Sequence, residues 1–331
     1  MKVAIFSTKP YDQQFLERAN QNQHELTFFE PKLNYETASL AKDFEVVCVF
    51  VNDQLDAQTL EKLAEGGIKL IALRCAGFNN INLKKAAELG IKIVRVPAYS
   101  PYAVAEHTLG LILTLNRKLH RAYCRVREGN FSLDGLLGFD LNNRTVGIIG
   151  TGKIGMIVAK ILQGFGCKIL GYDLYPHPEF TTFGGEYTEL NKLIKESDII
   201  TLHCPLTPDT HHIINAETIA MAKDGFMLVN TSRGGLIDTK AVIKSLKNQK
   251  IGYLALDVYE QEEELFFEDL SDEIILDDTF QRLLTFPNVL ITGHQAFFTQ
   301  EALTNIADTT IKNINQFAEG KECVNEVVRN V

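Results

Sequence analysis

Three side chains with chemistry to offer stand after three apolar runs in the second half of this 331-residue chain. Arg233 follows "FMLVN" in the turn "TSRGG". Glu262 lies in the acid-rich "YEQEEE" after "YLALDV". His294 closes "NVLITGH". An arginine can grip a carboxylate with two parallel hydrogen bonds. A histidine can exchange a proton near neutral pH, and a neighbouring carboxylate can hold its ring in place. Such a set suits proton transfer coupled to chemistry at a carbonyl or carbinol carbon. The residues alone leave choices open. Glu260, Glu263 and Glu264 compete with Glu262. His203, His211 and His212 compete with His294, and His203 also sits near a strand end.

A fourth feature is Gly150-Thr151-Gly152-Lys153-Ile154-Gly155. It follows the apolar run "TVGII" and opens a helical stretch from Lys153 to Phe165. Glycines at this spacing let the backbone approach a pyrophosphate, which then sits at a helix N-terminus. The next apolar run ends in Asp173, about 20 residues on, where a ribose-binding carboxylate is expected. Strand, glycine turn, helix and acid together indicate a dinucleotide. A carboxylate at Asp173 repels a 2′-phosphate, and "LYPHP" after it holds no Lys or Arg. NAD is therefore expected rather than NADP.

The elements that carry these residues form two series. Buried strands are expected at "VAIFS" (3–7), "LTFFE" (26–30), "VVCVF" (46–50), "LIALRC" (70–75) and "IKIVRV" (91–96). Helical stretches such as 57–67 and 83–90 lie between them and end at glycine. The series restarts with "VGIIG" (146–150), "KILGYD" (168–173), "IITLHC" (199–204), "FMLVN" (226–230), "YLALDV" (253–258) and "NVLITGH" (288–294). Alternation of this kind predicts an α/β protein of two doubly wound parallel sheets in tandem. The glycine turn thus opens the second domain. Between the halves, 101–123 predicts one helix with Ser100-Pro101 at its start. Its middle is apolar on nearly every face, which fits an interdomain core or a subunit interface equally well. The stretch 299–320 predicts a long amphipathic helix that packs back on the first half. The acidic run 260–278 reads as a solvated loop or helix.

Composition narrows the classes. Hydrophobic residues make up 45% and charged residues 23%, the balance of a soluble globular protein. The net charge of -9 and the absence of Lys/Arg-rich runs argue against nucleic acid or an anionic membrane as partner. No apolar run approaches a membrane span, and the first residues are too short an apolar run for a signal peptide. Six scattered cysteines without a C-x-x-C pair suit reduced thiols, with no disulfide framework and no metal site expected. A cytoplasmic protein is the expectation.

Almost the whole chain resembles the NAD-dependent D-2-hydroxyacid dehydrogenase family, and within it the fermentative D-lactate dehydrogenase group. The segments that carry the likeness are "FVND", "LRCAGFNNIN", "VPAYSPYAVAEHTLGLILTLNR", "GTGKIG", "SDIITLHCPLTPDTHHIIN", "NTSRGGLIDT", "LDVYE" and "TGHQAFFT". The resemblance implies a flavodoxin-like substrate domain, 1–99 with 299–331, and a Rossmann NAD-binding domain, 100–298, with a cleft between them. It implies a catalytic set of Arg233, which binds the substrate carboxylate, His294 as acid/base, and Glu262 as its partner. The cofactor residues it implies are Gly150, Gly152, Lys153, Ile154, Gly155, Asp173, Cys204, Pro205, Thr231 and Asp257, the last near the nicotinamide amide. On the substrate side it implies backbone N–H groups of Ala76 and Gly77 around the carboxylate, with Phe50, Tyr99 and Phe297 as pocket walls. The implied reaction is reversible reduction of pyruvate to D-lactate by NADH, in a homodimer or homotetramer that uses the helix matching 101–120. Other small 2-keto acids, such as hydroxypyruvate or a bulkier one, are the alternative substrates. An NAD-sensing regulatory protein on the same fold is a remote alternative, since nothing here resembles a basic region or docking tail. Gly293 before His294 counts against a formate-oxidising member, which would carry Gln there.

Overall fold

A computed structural model describes residues 1–262 and 265–327. The chain divides into two compact units, residues 1–100 with 298–331 and residues 101–297. The first holds five parallel strands, β1 Lys2–Ile5, β2 Glu25–Phe28, β3 Val46–Val49, β4 Leu70–Leu73 and β5 Lys92–Arg95, in the order β2-β1-β3-β4-β5. β3 and β4 are buried along their whole length, as strands covered on both faces must be. The order is that of a flavodoxin-like sheet. The helix Gln300–Ala318 belongs to this unit. Thr299 caps it by accepting from the Ala302 N–H at 3.2 Å. Its apolar face, with Ala307, Ile311 and Ile314, joins the core of Val3, Ile5, Val46 and Leu70.

The second unit holds seven parallel strands: β6 Thr145–Ile149, β7 Lys168–Tyr172, β8 Gly185–Tyr187, β9 Ile199–Leu202, β10 Phe226–Asn230, β11 Ile251–Leu256 and β12 Val289–Ile291. Their order is β12-β11-β10-β9-β6-β7-β8. Six were expected. The extra one, β8, is a three-residue edge strand, "GEY", with too few apolar residues to register as a strand. The order reverses between β6 and β9, which places the switch point beside the glycine turn.

The single helix expected over 101–123 is broken. It runs Pro101–Arg117, turns at Lys118 with φ +50°, and resumes as Leu119–Arg127. The first piece gives Ala105, Leu109, Leu111, Ile112 and Leu115 to this unit's own core, against Val146, Ile148 and Val158. The second piece has no buried residue. In the acid-rich run Glu262 lies in a 3-10 turn, and residues 265–276 hold turns and bends without helix or strand.

β9 leads into His203, and burial decides that residue's state. Its Nε2 meets the Thr201 hydroxyl at 2.9 Å, and Nδ1 is buried without a partner among the described residues. Desolvation pushes the imidazole down to about 3. The native ring stays neutral across a range where the unfolded chain, near 6.5, takes up a proton. Stability is therefore lost as pH falls from 6.5 toward 3, by up to about 1.4 kcal/mol per pH unit for this one proton. Urea denaturation of wild type and His203→Gln at several pH values checks this. The variant should show the shallower dependence between pH 6.5 and 4, and parallel curves would contradict it.

Candidate active site

Arg233, Glu262 and His294 all lie past the C-terminal ends of three neighbouring strands, β10, β11 and β12. Each is positioned by local hydrogen bonds. At the end of β10, Asn230 is wholly buried and staples the turn that follows. Its Nδ2 donates to the Arg233 carbonyl at 2.8 Å, and its Oδ1 accepts from the Ser232 N–H at 3.0 Å. The Ser232 hydroxyl donates to the Cys204 carbonyl at 2.7 Å. Gly234 is required because a Cβ there would overlap the Tyr259 carbonyl. The Arg233 guanidinium is half-buried and spends one donor on the Ser232 carbonyl at 2.7 Å. The remaining N–H groups of its fork are what a carboxylate would use.

Past β11, Asp257 is 0% exposed and organises the turn beyond β12. Its Oδ1 accepts from the Thr292 hydroxyl at 2.5 Å and the Gln295 N–H at 2.9 Å, and its Oδ2 from the Ala296 N–H at 2.9 Å. His107 Nε2 stands 3.3 Å from Oδ1 and 3.2 Å from Thr292 Oγ1. The Asp257 carbonyl accepts from the His294 N–H at 2.7 Å. His294 itself has φ +51°, a left-handed conformation that few residues but glycine, Asn, Asp and His adopt readily. The turn thus aims one imidazole through a conformation that its neighbours must hold.

Glu262 Oε1 meets His294 Nδ1 at 2.7 Å, and both side chains are mostly buried. Glu262 Oε2 accepts from the Tyr259 N–H at 2.9 Å, which fixes the carboxylate. The Phe267 ring lies 5.7 Å from the imidazole. Of the competing acids, Glu260 pairs with His212 instead, at 2.7 Å, and Glu263 and Glu264 lie outside the described residues. Of the competing histidines, His203 is half-buried with its imidazole pushed down by desolvation, and His211 stacks on His212.

The glycine turn tests whether a dinucleotide fits. Gly150 has φ +95°, and a Cβ on it would strike the Cys204 N–H. A Cβ on Gly155 would strike the Gly150 carbonyl, whereas one on Gly152 meets nothing within 4 Å. The helix Lys153–Gly164 starts at Gly152 with no side-chain cap, so its first N–H groups remain available to an anion. Lys153 is exposed and Ile154 half-buried at this turn. Asp173 Oδ2 accepts from the Thr151 N–H at 2.6 Å and Oδ1 from the Tyr175 N–H at 2.9 Å, which leaves acceptor capacity for ribose hydroxyls. Cys204 is buried, and desolvation raises its thiol to about 11, so it is an inert wall beside the turn. The exposed Pro205 gives its carbonyl to Thr210 Oγ1 at 2.7 Å. Thr231 is buried with its hydroxyl 2.9 Å from that of Thr108. These residues fit a dinucleotide.

In the first unit the loop after β4 carries Ala76 and Gly77. Ala76 offers its carbonyl to Arg95 at 2.8 Å and Gly77 its own to the Cys75 thiol at 3.3 Å. Among the described residues no acceptor engages either N–H. The Phe50 ring stacks on the buried Arg74 guanidinium at 4.8 Å. The Tyr99 carbonyl accepts from Asn305 Nδ2 at 2.6 Å. Phe297, the last residue of the second unit, is buried. The residues that sequence reasoning missed are Asn230, Thr292 and His107. Each is a polar residue set in an apolar strand or helix, and that contrast was the available signal.

Comparison with known proteins identifies the family. The family "D-isomer specific 2-hydroxyacid dehydrogenase, NAD binding domain" matches residues 109–296. A 2-hydroxyacid dehydrogenase homolog of Haemophilus influenzae is 58% identical over 99% of both chains. The D-lactate dehydrogenase of Escherichia coli is 53% identical over 99% of this chain and 100% of its own. The crystal structure of the Aquifex aeolicus D-lactate dehydrogenase, complexed with NAD and lactic acid, has a TM-score of 0.89 at 38% identity and covers 99% of this chain and 100% of its own. The chain belongs to the D-isomer-specific 2-hydroxyacid dehydrogenases. It is an NAD-dependent oxidoreductase, and among its described residues no helix is long and apolar enough to cross a membrane.

The Asp257 carboxylate generates a prediction. Asp257→Asn turns an NH₂ toward donors that need an acceptor, at about 1–3 kcal/mol for each group left unsatisfied. Urea denaturation should show lower stability, and the NADH-dependent rate should fall at least tenfold as the His294 turn loosens. Wild-type stability together with wild-type rate would contradict the role given to Asp257.

Proposed function

We propose that this protein is a D-lactate dehydrogenase that reduces pyruvate to D-lactate. The observation that carries the reading is the 2.7 Å contact between Glu262 and His294, with the half-buried Arg233 past the end of a neighbouring strand of the same sheet. Arg233 takes the substrate carboxylate with its fork and draws the ketone oxygen toward its charge. His294 gives its Nε2 proton to that oxygen. Glu262 accepts from Nδ1–H, which fixes the ring and its tautomer so that Nε2 faces the substrate. Bound NADH supplies the hydride to the carbonyl carbon. In the reverse direction His294 takes the hydroxyl proton. The glycine turn and the helix at Lys153 hold the pyrophosphate, and Asp173 holds the adenosine ribose. The free N–H groups of Ala76 and Gly77 are the reading's second carboxylate contact. Phe50, Tyr99 and Phe297 give apolar walls that suit a methyl group.

Self-association as a homodimer or homotetramer belongs to the same reading. Leu119, Tyr123, Val126, Phe131, Leu133 and Leu137 are each more than half exposed, an apolar stretch that a second copy would cover. The free cysteines suit a reducing, cytoplasmic setting.

NADH oxidation with a panel of 2-keto acids, followed by chiral analysis of the product, tests the substrate. Pyruvate should give the highest kcat/KM and the D-enantiomer. A higher kcat/KM with hydroxypyruvate or a branched 2-keto acid would move the assignment to that substrate. An L-product would overturn the reading of the site.

A further inference from the structure

A second cluster of chemistry-bearing residues stands apart from the catalytic pair. His211 and His212 follow a tight turn in which the His211 N–H donates to the Thr207 carbonyl at 2.9 Å. His212 has φ +52°, and its N–H donates to the Gly235 carbonyl at 2.9 Å. This left-handed residue folds the second imidazole back on the first, with ring centroids 3.8 Å apart and planes 25° from parallel. Glu260, 48 residues later, places Oε1 2.7 Å from His212 Nε2. Its other oxygen accepts from the Thr239 N–H at 3.1 Å and the Thr239 hydroxyl at 2.6 Å. The donor atoms of His211, His212 and Glu260 all lie within 4.8 Å of one another.

The geometry points to a binding site for a divalent transition ion of the zinc class, held by His211, His212 and Glu260. Two imidazoles and one carboxylate form an N₂O donor set. Zinc takes such ligands at about 2.0–2.2 Å in a tetrahedron, which sets donor atoms about 3.4 Å apart. His212 Nε2 and Glu260 Oε1 stand 2.7 Å apart and all three donors within 4.8 Å of one another, so small side-chain rotations reach that spacing, and the exposed His211 is free to make them. Water fills the fourth position. Magnesium and calcium prefer all-oxygen shells and are disfavoured here. The Thr239 contacts orient the carboxylate from behind, as the outer partners of metal ligands do. Glu260 also lies two residues before Glu262, and the peptide between Tyr259 and Glu260 packs on Gly234 beside Arg233. The ion would thus pin the loop whose far end carries the partner of His294, without using either catalytic side chain.

The test uses the full-length protein, stripped of metal by chelation and then dialysed. Zn²⁺ is titrated calorimetrically, and Co²⁺ is followed by its visible absorption. The site predicts one ion per chain with a tetrahedral Co²⁺ spectrum. His211→Ala and His212→Gln should each weaken binding by about tenfold or more, whereas His294→Gln should leave it unchanged. Circular dichroism confirms that all three variants fold, and NADH-dependent turnover confirms it for His211→Ala and His212→Gln. His211→Ala alters an exposed side chain and so keeps the test decisive if His212→Gln fails to fold. Absence of stoichiometric binding, binding that survives His211→Ala, or binding lost in His294→Gln would each overturn the proposal.

Discussion

The Asp257 carboxylate is sealed from water, and three donors from one short turn converge on it. A buried carboxylate is costly unless it is hydrogen-bonded on all sides. Here the donors are the Thr292 hydroxyl and the N–H groups of Gln295 and Ala296, which flank His294 on both sides. The turn cannot rearrange without stranding a charge in the protein interior. That constraint is what holds His294 at φ +51°, a conformation that costs a non-glycine residue about 1–3 kcal/mol. The imidazole is therefore aimed by the backbone and by Asp257, and Glu262 then completes its surroundings from the adjacent strand end.

The same logic extends across the edge of the sheet. β10, β11 and β12 are parallel neighbours, with Asn230 opposite Leu256 and Leu256 opposite Ile291, so Asn230, Asp257 and Thr292 gather at their C-terminal ends. Each of these interior polar residues organises a turn, and each turn carries or supports one reactive group. The Asp257 N–H donates to the Asn230 carbonyl at 2.9 Å, which links the Arg233 turn to the His294 turn. Glycine makes the close approaches possible. Gly234 lets the Arg233 turn touch Tyr259, and Gly150 lets the cofactor turn touch Cys204. A side chain at either position would drive apart elements that the chemistry needs together.

Much of this was legible in the sequence because it rests on local pattern. The alternating apolar runs gave five of the first unit's five strands and six of the second unit's seven. β8 escaped because "GEY" has neither length nor periodicity, and an edge strand needs little of either. The break at Lys118 escaped because the apolar periodicity continues on both sides of it, while a left-handed lysine leaves no compositional mark. The glycine turn and Asp173 were readable from spacing alone. The choice of Glu262 over Glu260 was not. Both sit on one short loop, and only its path decides that Glu262 meets His294 while Glu260 meets His212. Likewise His203 and His294 both follow strands, and only the folded surroundings show that desolvation lowers the His203 imidazole. Long-range pairings of this kind depend on register and loop course, which no local window of sequence contains.

The central claim is that Glu262 acts only through His294. A double-mutant cycle on kcat/KM for pyruvate tests it most directly, with Glu262→Gln, His294→Gln and both together. If the two residues work as one unit, the double variant should be no slower than His294→Gln alone, which should lose about 10²–10⁴-fold. The coupling energy would then equal the full cost of Glu262→Gln. Losses that multiply in the double variant would show that Glu262 acts independently of His294, and would contradict the account.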